Sequence, residues 1–276
     1  MSEYTSNELN EPQDGAAFLG MEVKSAREFV GMTQQQLADA THYKRPYVTK
    51  VEGGTLLASE NFAEACDRIF ERPGSFARLR RRVSERGHAG WFIPYVKLEQ
   101  EALAVTDYSN AFIMGMLQTR EYAEAVFRSA FPRETDEQIN GRVMARLCRR
   151  EVLDREDPPL LWVILHESVL HTVVGDRRVM ADQLRHLMAE VESPHITIQV
   201  LPYDAGAPAS NLPFNLLMQV DGATVVYSET FGRGQVNDST DVVTRAQATY
   251  DRLRADALSS ERSMALIHKI MEEHLK

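Results

Sequence analysis

A short stretch of the chain, residues 33–54, concentrates side chains that bind phosphates and the edges of nucleic-acid bases. Two glutamines precede a turn, and basic, hydroxyl and aromatic residues follow it: Gln34, Gln35, Lys44, Arg45, Tyr47, Thr49 and Lys50. A glutamine at the first position of a helix suits a phosphate, and arginine pairs with guanine in the major groove. The pattern indicates recognition of double-stranded DNA.

Two short helices joined by a tight turn would position these residues. Thr33 is a good N-cap, and Gln36 can complete a capping box, which predicts a helix from Gln34. The turn is predicted at residues 41–43, and the second helix from about Lys44 to Glu52, ended by the glycines at 53 and 54.

The second helix has an apolar side and a polar side. Its apolar set is Tyr43, Tyr47, Val48 and Val51. This spacing predicts that Arg45, Thr49 and Lys50 point outward, toward a major groove.

Apolar stripes on both sides predict two more helices and a small all-α domain over residues 18–75. The stripes are Leu19, Val23, Ala26 and Val30 upstream, and Phe62, Ala65, Ile69 and Phe70 downstream of a cap at Ser59. The alternative is a helical subdomain whose turn is only scaffold.

The stretch resembles the Xre/Cro-like regulator domain of bacteria. The matching positions are Thr33-Gln34, Leu37-Ala38, Val48-Thr49, Val51-Glu52 and Gly54. The resemblance implies a helix-turn-helix that reads DNA. The family's usual glycine in the turn is His42 here, so the resemblance implies a left-handed backbone at His42, at some energetic cost.

The charge of −9 is unevenly distributed along the 276 residues. Residues 18–90 carry twelve Lys and Arg against nine Asp and Glu, a net +3, whereas residues 91–276 carry nineteen against twenty-seven, a net −8. Because phosphate binding depends on local charge, the −9 does not exclude DNA. With a net charge of only +3, one copy should bind weakly, so we expect a homodimer on a palindromic operator.

The remaining features of the first ninety residues set the domain limits. Residues 1–17 carry four acidic and no basic residues and are predicted to be a disordered tail. Residues 76–90 are predicted to be a basic linker helix, whose arginines either contact phosphate or are solvated. There is no signal peptide or apolar run of membrane length, and two cysteines without ligand spacing fit a cytoplasmic protein.

Residues 91–276 are predicted to form an α+β domain with at least four strands. Helices are predicted over 96–106, 109–131, 135–154, 178–192, 239–257 and 261–275. Strands are predicted over 160–165, 196–201, 214–220 and 224–229, with a type I′ turn at Asp221-Gly222 joining the last two.

This second part resembles the C-terminal domain of WhiJ-like regulators. The matching residues include Trp91, Glu99-x-Glu101-Ala102, Gly115-x-Leu117-Gln118-Thr119, Arg146-x-x-Arg149, Met180-x-x-Gln183-Leu184 and Tyr227-x-Glu229. The resemblance implies a regulator paired with a small partner protein, in an antitoxin-like arrangement.

The chain shows no pattern of a catalytic, cofactor or metal site, and we expect it not to be an enzyme. His166 and His171 are five residues apart, one too many for the zinc motif. Glu167 and Glu229 end strands, and we interpret them as isolated carboxylates.

We expect a DNA-binding transcriptional regulator whose C-terminal domain senses a partner protein or a small effector. Methionines suit such adaptable surfaces, although each can equally fill the core: Met114, Met116, Met144, Met180, Met188 and Met218. The alternative is an antitoxin-like protein that mainly sequesters a small partner and binds DNA for autoregulation.

Overall fold

The computed structural model describes residues 15–86 and 88–276, which form two compact units. The helical unit contains residues 15–86 and the later segment Glu134–Cys148. The sheet unit contains His88–Arg133 and Arg149–Lys276. Of the predicted acidic tail, residues 1–14 lie outside the described residues, and residues 15–17 form the first turn of a helix.

The chain alternates between helices and strands after an entirely helical start. The helices are α1 (Gly15–Phe29), α2 (Gln34–Thr41), α3 (Arg45–Glu52), α4 (Glu60–Ile69), α5 (Ser75–Arg86), α6 (Ile93–Glu101), α7 (Arg120–Ala130), α8 (Asp136–Cys148), α9 (Glu167–His171), α10 (Arg177–Glu190), α11 (Thr240–Asp256) and α12 (Ser260–His274). The strands are β1 (Ala102–Ser109), β2 (Leu160–His166), β3 (Ile196–Leu201), β4 (Phe214–Gln219), β5 (Thr224–Thr230) and β6 (Arg233–Asn237). The predicted order, an all-α part followed by an α+β part, is confirmed.

The helical unit is held by one apolar core to which α1 through α5 and α8 contribute. Leu19, Val48 and Phe62 are fully buried in it, and Met144 of α8 joins them. A glycine allows the closest approach: a Cβ at Gly20 would lie 2.2 Å from the carbonyl oxygen of Val51. Any larger residue there would separate α1 from the end of α3.

Helix α5, predicted as a linker, packs within the helical unit. Its first turn is capped by the buried Asp67 carboxylate, which accepts hydrogen bonds from the N–H groups of Phe76 (2.9 Å) and Ala77 (3.1 Å). Arg80 is buried and donates to the carbonyl oxygen of Ala58 at 3.2 Å. At least one arginine of the basic run therefore fastens α5 to the unit.

The sheet unit is built on one mixed sheet with strand order β3-β2-β1-β4-β5-β6. The pairs β1–β2 and β2–β3 are parallel, and the pairs β1–β4, β4–β5 and β5–β6 are antiparallel. Side chains of α6, α7, α10 and α12 cover one face of the sheet, and α11 packs on the other through Tyr250 and Leu253. The six strands include the four that the sequence predicted.

Two predicted helices of the sheet unit are wrong in part. The helix predicted over 96–106 ends at Glu101, where β1 begins. In β1, Val105 faces one core cluster and Tyr108 the other, so burial on both faces overrides the helical pattern. The helix predicted over 109–131 begins only at Arg120, because Thr119 caps it there.

The hairpin between β4 and β5 has a different turn from the predicted one. A type I′ turn needs a positive φ at both central residues, and Gly222 has a φ of 84° whereas Asp221 is not left-handed. The N–H of Gly222 bonds the Gln219 carbonyl at 2.9 Å, and Gln219 pairs with Ala223. The loop therefore has three residues, with glycine in the left-handed position.

Candidate nucleic-acid interface

Helix α2 begins with the predicted capping box. The Gln36 N–H donates to the Thr33 hydroxyl at 3.2 Å, and the Thr33 N–H donates to the Gln36 side chain at 2.8 Å. Two of the otherwise unpaired amides at this helix start are satisfied in this way. The start of α2 is therefore fixed by its own sequence.

The turn between α2 and α3 contains the predicted left-handed residue. His42 has φ 61° and ψ 28°, and its N–H bonds the carbonyls of Ala38 and Asp39. Lys44 is the N-cap of α3 but makes no capping hydrogen bond with its side chain, and Pro46 lies in the first turn. The helix accordingly begins at Arg45, and the local sequence contributes little to capping it.

A buried ion pair ties α1 to the end of α3. The Arg27 guanidinium contacts both oxygens of Glu52, Nε to Oε1 at 2.5 Å and Nη2 to Oε2 at 3.0 Å. The side chains are only 9% and 3% exposed, and Arg27 also donates to the Met32 carbonyl at 2.8 Å. The hydrogen bonds to Glu52 raise the pKa of Arg27, so the Arg27 guanidinium remains charged.

Gln34 joins the same network. Its Nε2 donates to Glu52 Oε2 at 2.8 Å, and its Oε1 accepts from the Thr49 hydroxyl at 3.1 Å. The first residue of α2 is thus held against the middle of α3. The Gln34 side chain, predicted to bind phosphate, is therefore already hydrogen-bonded to Glu52 and Thr49.

The other predicted residues, apart from Tyr47, are exposed around this junction. They are Gln35, Lys44, Arg45, Thr49 and Lys50. Gln35 bonds Asp39 at 2.8 Å, and Thr49 also donates to the Arg45 carbonyl at 3.1 Å. No residue in the described part of the chain forms an ion pair with Lys44, Arg45 or Lys50.

Tyr47 lies apart from the exposed set. Its ring stacks on Tyr43 with centroids 4.4 Å apart and meets Phe62 edge-on at 5.3 Å. Its hydroxyl accepts a hydrogen bond from the Ser59 N–H at 2.7 Å. Tyr47 therefore packs α3 against the start of α4, as the apolar pattern alone indicated.

The sheet unit contains a buried polar cluster that residue types alone did not identify as a site. Arg149 contacts both oxygens of the fully buried Glu99 at 2.7 and 2.6 Å, and Tyr95 donates to Glu99 at 2.7 Å. The Tyr227 ring packs on the Tyr95 ring, with centroids 4.2 Å apart and planes tilted by 33°, and its hydroxyl donates to Glu229 at 2.7 Å. Several residues that carry the resemblance to WhiJ-like regulators thus meet in one place.

Asp107 of β1 is buried near this cluster, and the charges of Arg149 and Glu99 act on its carboxylate. It accepts hydrogen bonds from Ser109 (2.7 Å) and Asn215 (2.6 Å). Burial raises the pKa of Asp107 to about 6, although these hydrogen bonds and the charge of Arg149 act in the opposite direction. Asp107 therefore titrates just below neutral pH in the folded protein.

The two histidines and two glutamates named in the sequence analysis form hydrogen bonds within the chain. The His166 ring accepts from the Ser168 N–H at 3.2 Å, and His171 contacts Glu167 at 3.3 Å. Glu167 follows β2 and Glu229 lies in β5, two strands that β1 and β4 separate. Within residues 15–86 and 88–276, no group of three potential ligands is arranged to hold a metal ion.

The cysteines and most of the methionines named in the sequence belong to the core. Neither Cys66 nor Cys148 forms a disulfide in the described part of the chain, and burial raises the pKa of Cys66 to about 12. Four methionines are buried, one is half-buried, and Met218 is 41% exposed: the buried ones are Met114, Met116, Met144 and Met180. Met218 alone of the six offers an exposed surface.

The first part of the chain is a helix-turn-helix domain. A family model described as a helix-turn-helix domain matches residues 19–79. A second family, described as a domain of unknown function (DUF5753), matches residues 92–269, more than half of the chain, and the protein belongs to that family. No curated protein and no solved structure matches the chain significantly. No helix in the described part is both long enough and apolar enough to span a membrane.

The ion pair between α1 and α3 leads to a first prediction. Glu52→Ala leaves the buried Arg27 guanidinium with only the exposed Glu28, 3.3 Å away, as an ion-pair partner, and should destabilise the helical unit by about 3 kcal/mol, the low end of the cost of breaking a buried pair. Hydrogen exchange read by mass spectrometry on peptides of α1 and α3 measures this. The matched control is Glu22→Ala, which removes the exposed partner of Arg72 at 4.0 Å and should change stability by about 0–1 kcal/mol. Equal exchange in the two variants would contradict the assignment.

A second prediction concerns pH and the sheet unit. Because the folded pKa of Asp107 lies above the ordinary value of 3.8, folding takes up a proton between about pH 4 and pH 6, and stability falls as pH rises through this range. The loss should approach about 3 kcal/mol above pH 6, at 1.36 kcal/mol for each pKa unit.

Urea unfolding followed by tryptophan fluorescence tests this, since both tryptophans, Trp91 and Trp162, lie in the sheet unit. Asp107→Asn should flatten the pH dependence in this range. Asp256→Asn, at the exposed end of α11, should keep the wild-type profile. An unchanged slope in Asp107→Asn would show that another group causes the dependence.

Proposed function

We propose that the protein is a sequence-specific DNA-binding transcriptional regulator of the Xre/Cro-like type, with α3 as the helix that enters the major groove. The observation that carries this is that Lys44, Arg45 and Lys50, at the start and on the surface of α3, are exposed and have no ion-pair partner in the described part of the chain. Cations that are not used within the fold are available for phosphates and bases. The match to a helix-turn-helix family supports the same conclusion.

The residues of the interface have different roles in this proposal. Arg45, at the first turn of α3, reads a guanine edge, because an arginine can bind O6 and N7 together. Lys44 and Lys50 bind phosphates on either side of the groove. The free amides at the start of α2, with Gln34 and Gln35, hold a further phosphate. Thr49 contributes a hydroxyl between the two helices.

The sheet unit serves regulation by binding a partner protein or a small effector, and not by catalysis. It carries twenty-four Asp and Glu against seventeen Lys and Arg over residues 88–133 and 149–276, and this net charge of −7 disfavours contact with phosphate. The WhiJ-like resemblance supports an antitoxin-like pairing with a small protein. The protein acts as a homodimer on a palindromic operator in the cytoplasm, because three unpaired cations on one α3 provide few phosphate contacts.

The role of Arg45 leads to a third prediction. Arg45→Ala should weaken operator binding by about 1–3 kcal/mol and relax the preference for guanine at one position of each half-site. Fluorescence anisotropy on the operator and on single-base variants measures both effects. Arg68→Ala, which removes an exposed arginine of α4, is the control and should retain the base preference. Loss of affinity without relaxed specificity would reassign Arg45 to phosphate binding.

Regulation through the sheet unit leads to a fourth prediction. If a co-purifying partner weakens operator binding by some factor, operator DNA must weaken partner binding by the same factor. Calorimetric titration of the partner into the full chain, with and without saturating operator, measures this. Identical partner affinities would mean that partner binding does not regulate DNA binding, and the antitoxin-like alternative would then be favoured.

A further inference from the structure

Helix α5 has an apolar side that is buried and a basic side that is exposed. The apolar side packs on the core of the helical unit through Phe76 and Val83. Arg78, Arg81 and Arg82 are exposed and, at about 3.6 residues per turn, fall on the side of the helix turned away from that core. We call these three arginines the basic face of α5.

The charges of the basic face are not compensated within the part of the chain that the structure describes. None of the three arginines has an ion-pair partner there. The Arg78 guanidinium donates to the Pro73 carbonyl at 3.2 Å, but this acceptor is neutral. The three charges stand within about 6 Å along the helix axis, at about 1.5 Å per residue, and repel one another. An anion bound to the face would therefore be stabilised by all three.

The basic face belongs to a different helix from the surface proposed to read DNA. α5 packs against α1, α4 and α8, whereas α3 packs against α1 and α2. The helical unit thus carries a second cationic surface besides that of Lys44, Arg45 and Lys50. Arginines that touch only phosphate carry no sequence information, so phosphate binding at α5 would add affinity for DNA of every sequence.

An acidic segment of the same chain is joined to the unit beside this face. A Cβ at Gly15, the first described residue, would lie 2.9 Å from Val83 Cγ2, so the Gly15 backbone lies against α5 one position from Arg82. The fourteen residues before Gly15 contain no basic residue and four acidic ones: Glu3, Glu8, Glu11 and Asp14. Fourteen residues can span up to about 50 Å, far more than the length of the basic face. Charge, reach and point of attachment therefore all suit this segment as the anion.

We propose that the acidic segment, residues 1–14, binds the basic face of α5 within the same chain. Its carboxylates pair with Arg78, Arg81 and Arg82 and take the positions that phosphates would occupy. Each exposed pair is weak, but the covalent link holds the segment at a roughly millimolar effective concentration. The segment is thus an internal competitor of nucleic acid at α5. This pairing goes beyond the proposed function and holds whichever operator α3 reads.

Carbodiimide cross-linking of the full chain tests the contact directly. The reagent joins a carboxylate only to an amine that touches it, so Arg78→Lys and Arg82→Lys keep the charge and place amines on the face. Each variant should give a link between residues 1–14 and α5 in the monomer band, identified by mass spectrometry. Arg252→Lys, at an exposed arginine of α11, is the matched control and should give no link to residues 1–14.

Fluorescence anisotropy on a duplex of random sequence measures the competition with nucleic acid. The four acids are replaced by their amides, in the variant Glu3→Gln, Glu8→Gln, Glu11→Gln, Asp14→Asn. Affinity for the duplex should rise about fivefold to tenfold at low salt, because the basic face becomes available to phosphate. The dependence of log affinity on log salt should steepen by about 2–3, since each of the three arginines contributes about 0.9.

Two controls separate binding at α5 from a general effect of charge. The first replaces four exposed acids of the sheet unit that have no ion-pair partner in the described part of the chain, and should leave the affinity within about twofold. Its substitutions are Asp204→Asn, Asp238→Asn, Glu261→Gln and Glu272→Gln. In the second, Arg78→Ala, Arg81→Ala and Arg82→Ala are combined, and the amide replacements in residues 1–14 should then have no effect.

The outcomes that contradict the pairing are distinct from those that concern α3. An equal rise in affinity in either control would overturn binding at α5. So would cross-links no more abundant than in Arg252→Lys, or links found only between two chains. Each of these results leaves the operator preference assigned to Arg45 as it stands.

Discussion

The buried ion pair between Arg27 and Glu52 is the interaction on which the arrangement of the helix-turn-helix depends. Burying a carboxylate is costly unless a cation and hydrogen bonds replace its water, and Arg27 does so through both oxygens. The same carboxylate accepts from Gln34, so one buried group fixes α1, the start of α2 and the end of α3. The outward direction of Arg45 follows from that fixed arrangement.

The sheet unit uses the same physical solution, the pairing of Arg149 and Glu99, for a different purpose. This pair joins α6 to the turn after α8, at the residue where the chain re-enters the sheet unit. Phe92 and Tyr95 lie against the guanidinium at 5.0 and 5.5 Å and exclude water from it. The cluster orders this part of the core. The neighbouring Asp107 forms no ion pair in the described part of the chain, and its burial raises its pKa.

Features that depend on neighbouring residues could be predicted from the sequence, whereas strands and contacts that depend on residues far along the chain could not. The capping box at Thr33 was predicted because it depends on two residues three positions apart, and the left-handed turn at His42 was expected from the resemblance, in which glycine is usual there. β1 was predicted as helix because its partners lie more than fifty residues away along the chain. β6 was missed because Arg-Gly-Gln-Val-Asn has no apolar alternation and forms a strand only through its hairpin with β5. The network of Gln34 with Glu52 and Thr49 was likewise invisible, although the acid at position 52 is part of the resemblance.

The two units differ in charge, and this difference bears on how each would act toward DNA. Lys44 and Lys50, which have no ion-pair partner in the described part of the chain and bind phosphate in the proposed function, imply a dependence of log affinity on log salt of about −2 for one copy, since each neutralised phosphate contributes about −0.9. Such a domain discriminates poorly against bulk DNA at physiological salt. Two copies on adjacent half-sites double that dependence and read twice as many base pairs, and the affinity then depends on whether the copies are joined. The acidic sheet unit does not attract DNA, so a ligand that alters how two such units associate can change operator affinity without contacting the operator. In the proposed function, the second unit therefore controls the helix-turn-helix through the association of two copies.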